Sequence, residues 1–104
     1  MVAASEEEKA RALEEVTREI TAMLLRKSRD YGSENIRLTG GELGLTVRVI
    51  DKAMRLHNLN LRGVIEGGGS AIREPATEET LEDTWKDLVG YGLIALVCRR
   101  GVKW

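Results

Sequence analysis

From Leu88 to Cys98 the chain reads LVGYGLIALVC, eleven residues without a charge, and this run restricts the fold more than any other feature. It falls well short of the ~20 apolar residues that span a bilayer, so protein must cover it. Just before it, LEDTWKD carries Glu82, Asp83 and Asp87. On a helix, Asp83, Asp87 and Tyr91 share one stripe, while Leu81, Trp85, Leu88, Gly92 and Ala95 share another. The carboxylates therefore border a buried wall instead of pointing away from it, and Trp85 is expected to anchor a core or an interface.

Helical periodicity organises the remainder. Ser5-Glu6-Glu7-Glu8 and Thr39-Gly40-Gly41-Glu42 both fit the capping box, in which a hydroxyl accepts from the third helical N–H and the glutamate reaches back. Thr77, shortly after Pro75, is the expected cap of a third helix. The first helix is expected to run to about Arg29, with Leu13, Val16, Ile20, Met23, Leu24 and Lys27 on one face. The second runs from about Glu42 to Leu59 and carries two apolar arcs. Leu43, Val47, Ile50, Met54, His57 and Leu61 alternate spacings of four and three; Leu45, Val49, Leu56 and Leu59 form the other arc. Two such arcs predict a central helix buried on both sides, with His57 inside or at an interface. The third helix runs from about Glu78 to Arg100 and is stopped by Gly101. Residues 1–4 are expected to be flexible, and residues 63–76, including Gly67-Gly68-Gly69-Ser70, to form a Gly-rich loop or short hairpin. The glycine run lacks the GK[ST] ending of a phosphate-binding loop.

The expectation is a single all-α domain of 104 residues with three main helices. With no Phe, its core must be aliphatic. Three helices cover only part of an all-round apolar segment, so a homodimer or larger homo-oligomer is expected, with Gly90 and Gly92 permitting a close crossing. Sixteen Lys and Arg against seventeen Asp and Glu leave no basic excess for duplex nucleic acid or an anionic membrane. The lone Cys98 excludes an internal disulfide or a cysteine-rich zinc site and is expected to pack in the core. The start MVAASEEEKA lacks the pattern of a signal peptide, so a cytoplasmic location is expected.

Chemistry is expected where the charged strips meet. Arg48, Asp51, Lys52 and Arg55 lie within one face of the second helix, about 100° wide. Antiparallel packing of the second and third helices would bring Asp83 and Asp87 towards Lys52 and Arg55. Glu15 and Glu19 lie one turn apart on the first helix, Glu19 near the edge of its apolar face. Carboxylate pairs four apart on facing helices can build an oxygen-rich Mg²⁺ site, with Arg and Lys holding substrate phosphates. The alternative is a plain interhelical salt bridge between Asp87 and Lys52 or Arg55.

Three motifs in order, Lys27-Ser28-Arg29-Asp30-Tyr31-Gly32, then Leu45 to Leu56 with Arg48, Asp51, Lys52 and Arg55, then Glu79 to Tyr91 with Glu82, Asp83 and Asp87, resemble the nucleotide modification associated domain 1 family of phages and bacteria. The resemblance spans about residues 15–98 and implies a link to modified nucleotides, with the host cytoplasm as the location if phage-encoded. The layout is more distantly similar to all-α nucleoside triphosphate pyrophosphohydrolases of the MazG and dimeric dUTPase group. That likeness implies Mg²⁺ held by Glu15, Glu19, Asp83 and Asp87, with Asp83, Asp87 and Glu19 as catalytic residues. Arg48, Lys52, Arg55, Asp30, Tyr31 and Tyr91 would bind the substrate, Tyr31 stacking on a base. The chain departs from that group's E-x-x-D spacing, since Asp83 and Asp87 are four apart, and Glu14-Glu15-Val16-Thr17-Arg18-Glu19 is an imperfect E-E-x-x-E. Three functions stay open: a Mg²⁺-dependent pyrophosphohydrolase-like enzyme, a non-catalytic nucleotide binder that counters host defence or serves DNA-base modification, and a small phage protein that binds a host protein.

Overall fold

The computed structural model describes residues 2–32, 34–67 and 79–104, with backbone alone for residues 63–67. Among them the chain is all-α, with helices α1 (Glu6–Tyr31), α2 (Asn35–Leu38), α3 (Gly41–Gly67) and α4 (Leu81–Arg99) and no strand.

Each boundary has a local cause. Ser5 caps α1, its hydroxyl accepting from the Glu8 N–H at 3.1 Å, and Glu6, Glu7 and Glu8 sit at the positive end of the helix dipole. At the other end Gly32 takes φ +86°, a left-handed conformation that turns the chain into α2 while its N–H donates to the Ser28 carbonyl. The single turn α2 is too short for periodicity to announce. Thr39 closes α2 instead of capping the second long helix: its N–H and its hydroxyl both donate to the Asn35 carbonyl, at 3.1 and 2.6 Å. Glu42, relieved of a capping role, accepts from Arg99 at the far end of α4, at 2.5 and 2.9 Å.

The capping box of α4 belongs to Thr80 and Asp83. The Thr80 hydroxyl accepts from the Asp83 N–H at 3.1 Å and the Asp83 carboxylate accepts from the Thr80 N–H at 3.3 Å. Thr77, the cap expected from sequence, lies outside the described residues. Residues 63–67, expected in a loop, instead continue α3 to Gly67; the rest of the expected loop, to residue 76, also lies outside them.

α3 packs most extensively on α4, and the two run antiparallel: Glu42 near the start of α3 meets Arg99, while Arg55 further along meets Thr84. The core joins Ile20 and Leu24 of α1, Ile36 of α2, Leu45 of α3 and Ile94 of α4. Cys98, half-buried, packs against it as expected. Gly90 provides the close approach expected of it, but within the chain: a Cβ there would stand 2.9 Å from Leu24 Cδ2 of α1. Gly92 has open space around it.

Only one of the two apolar arcs on α3 is buried. Leu45, Leu56 and Leu59 face the interior, whereas Leu43, Val47, Ile50, Met54, His57 and Leu61 are exposed. α3 is therefore not the doubly buried helix that its pattern predicts, because α4, α2 and part of α1 cover a single side. Trp85 is also more than half exposed, at 55%. Every residue from Glu6 to Glu19 is exposed, since the first half of α1 extends past the other helices. The radius of gyration, 16.2 Å, accordingly exceeds the ~13 Å of a compact domain of this length. No described helix is long and apolar enough to cross a membrane.

Candidate functional site

Where α1, α3 and α4 meet, a chain of ion pairs crosses the molecule. Asp87 of α4, its side chain 13% exposed, takes Lys27 of α1 on one oxygen at 3.0 Å and Lys52 of α3 on the other at 3.2 Å. Lys52 continues to Glu79 at 2.5 Å, and Glu79 to Arg55 at 2.8 Å. Thr84, fully buried, closes the network: its hydroxyl donates to Glu79 at 2.7 Å and accepts from Arg55 Nε at 3.1 Å. Arg55 also donates to the Glu79 backbone carbonyl at 2.6 Å.

The geometry follows from residue spacing. Lys52 and Arg55 are three apart and Arg48 one turn earlier, so all three project from the same side of α3 towards α4. The electrostatics follow from burial. Desolvation alone would depress the Lys52 pKa, but hydrogen bonds to Glu79 and Asp87 outweigh it and hold the ammonium above its ordinary value. Burial likewise pushes Glu79 up, and the hydrogen bonds from Lys52 and Thr84 prevail, leaving its carboxyl below the usual range.

Beside this network lies a cavity of about 270 Å³, walled by Lys27 and Tyr31 of α1, Asn35 of α2, Arg48 of α3, Tyr91 of α4 and Trp104. Arg48 and Tyr91 also line a second hollow of about 430 Å³ with Asp51, Lys52, Arg55 and Glu79, so the two adjoin. The Arg48 guanidinium lies 5.9 Å from the Tyr91 ring centroid and donates to the Thr39 hydroxyl. It forms no ion pair with any described carboxylate. Lys27 is 44% exposed and keeps donors for a ligand beyond the one given to Asp87. The cavity thus combines a cation without an acidic partner, an accessible ammonium and three aromatic side chains.

Five residues expected in a binding role converge on these two hollows: Arg48, Lys52, Arg55, Tyr31 and Tyr91. Asp30 is exposed and lines neither, since it precedes Tyr31 by one position and projects from another side of α1. Trp104 and Asn35 were not legible as site residues; Trp104 follows the last helical period, and Asn35 sits on the one-turn α2.

The four acids of the expected Mg²⁺ site do not gather in one chain. Asp83 is tied up in the capping box with Thr80 at the start of α4, and hydrogen bonds from the Thr80 backbone and hydroxyl group lower its carboxyl pKa. Asp87 is held by two ammoniums, Glu19 lies 3.5 Å from Lys86, and Glu15 is exposed on the protruding half of α1. Among the described residues no three acidic, His or Cys side chains are grouped to hold a metal ion. The donor set within one chain therefore does not fit Mg²⁺. The chain matches no family model, no curated protein and no solved structure.

Proposed function

We propose that the protein binds a phosphorylated nucleotide or a nucleotide-derived small molecule, using its own cations in place of a metal. The observation that carries this reading is Arg48, a guanidinium at the junction of two hollows, over an aromatic ring and without a carboxylate partner among the described residues. A planar guanidinium grips phosphate oxygens bidentately, and Lys27 across the cavity adds a point charge. Tyr31, more than two-thirds exposed, and Tyr91 offer faces on which a base can stack. Asp87 sets the orientation of both lysines. The resemblance of three motifs to the nucleotide modification associated domain 1 family points to the same ligand class.

Titration calorimetry with AMP, ATP, dATP and inorganic triphosphate, each in EDTA and in Mg²⁺, tests this. Binding is expected to persist in EDTA, and Arg48→Ala is expected to weaken it at least ~10-fold, about 1.4 kcal/mol. No binding of any of these ligands up to millimolar concentration would overturn the reading. Mg²⁺-dependent release of pyrophosphate, abolished by Asp87→Asn, would instead support the pyrophosphohydrolase reading.

A further inference from the structure

We propose that the ligand is a phosphodiester with a nucleoside on each side, in the simplest case a dinucleoside monophosphate, its single phosphate on Arg48 and one nucleoside in each of the two adjoining hollows. The assignment rests on the nucleotide-binding reading of the same site and narrows it by charge and by shape.

Charge sets the number of phosphates. Among the described residues, the cations lining the two hollows are Lys27, Arg48, Lys52 and Arg55, and the carboxylates are Asp51, Glu79 and Asp87. Four against three leaves a surplus of one positive charge. Lys27 and Lys52 are paired to Asp87, and Lys52 and Arg55 to Glu79; of the four cations, Arg48 is the one that meets no described carboxylate. A phosphodiester carries one negative charge, as each link of a nucleic acid does. A terminal phosphate monoester carries about −1.5 to −2 at pH 7, and a triphosphate more, so either leaves negative charge uncompensated beside three carboxylates. The fork of the guanidinium fits the same group, because a diester presents two non-bridging oxygens to two parallel N–H donors. Tyr91, its ring centroid 5.9 Å from the guanidinium, and the Thr39 hydroxyl hold Arg48 where the hollows adjoin.

Shape and chemistry differ on the two sides of Arg48. The cavity of about 270 Å³ offers the rings of Tyr31, Tyr91 and Trp104 for stacking, with the Ser28 hydroxyl and the Asn35 amide as groups that read a base edge. The hollow of about 430 Å³ has Asp51, exposed at its wall, which accepts hydrogen bonds from sugar hydroxyls and repels a further phosphate. A base therefore suits one side and a sugar the other, while a row of phosphates suits neither.

Calorimetric titrations in EDTA with ApA, CpC, GpG and UpU, each beside the 5′-monophosphate, the triphosphate and the 3′,5′-cyclic monophosphate of the same base, test this. At least one dinucleoside monophosphate is expected to bind ~10-fold or more tightly than its mono- and triphosphate, and more tightly than the cyclic diester, which lacks the second nucleoside. Asp51→Lys, at an exposed position that the fold tolerates, raises the surplus to three charges and is expected to move the preference towards the triphosphate by ~10-fold or more. A mono- or triphosphate that binds as tightly as every dinucleoside would overturn the diester and leave the nucleotide-binding reading standing. Equal binding of the cyclic diester would overturn the use of the second hollow, and a preference unmoved by Asp51→Lys would overturn the charge matching. No binding by any of these ligands up to millimolar concentration would overturn both readings.

Discussion

Thr84 and Arg48 show how single side chains divide structure from function here. Thr84 is fully buried, and its hydroxyl serves Glu79 and Arg55 at once. Thr84→Val keeps the shape and removes one hydroxyl contact from Glu79 and one from Arg55, which keep their ion pair with each other, so a loss of about 1 kcal/mol is expected in urea denaturation. Arg48 is instead on the cavity wall, so Arg48→Ala should alter ligand affinity far more than melting temperature. Asp87→Asn removes the charge between two lysines. Their field at the cavity then rises, and the expected result is several-fold tighter triphosphate binding in EDTA with a lower melting temperature.

At the level of elements, two boundaries carry the geometry of the site. Thr80 and Asp83 start α4 one turn before Asp87, and Thr80→Ala should cost about 1 kcal/mol of stability, read from urea midpoints. At the start of α3, a Cβ on Gly44 would overlap the Thr39 backbone carbonyl, which sits on the α2–α3 turn and cannot rotate away. Gly44→Ala is therefore expected to destabilise, although alanine is the better helix former by about 1 kcal/mol. Spacing made the long helices, the Ser5 cap and the shared face of Arg48, Lys52 and Arg55 legible. It misassigned the cap at Thr39 because a hydroxyl followed three residues later by a glutamate is a local signal, and it did not single out Thr80, which caps α4. Which of several nearby threonines is used depends on where the neighbouring elements end.

The whole molecule responds to pH through its acidic groups. Folding holds Glu79 and Asp83 below the ordinary carboxyl values of 4.5 and 3.8, so between the folded and ordinary values the unfolded chain binds protons that the folded chain does not. Their stabilisation is fully present above the ordinary values and is lost as pH falls through the folded ones. Thermal melts should therefore be level from pH 7 to about 5.5 and fall progressively below 4.5, and Glu79→Gln should flatten that fall.

By itself the sequence determined the helical character of the chain, the extent of α1, the two arcs of α3 and the shared face of Arg48, Lys52 and Arg55, because each is fixed by periodicity along a helix. Only the tertiary structure decided which arc of α3 became core and which stayed exposed, since both satisfy the same period and the choice depends on what packs against them. It also decided that Asp83 joins the capping box of α4 while Asp87 binds lysines. Two carboxylates one turn apart are equivalent in sequence, and they differ in their surroundings: one lies at a helix end exposed to water, the other between the ammoniums of two neighbouring helices.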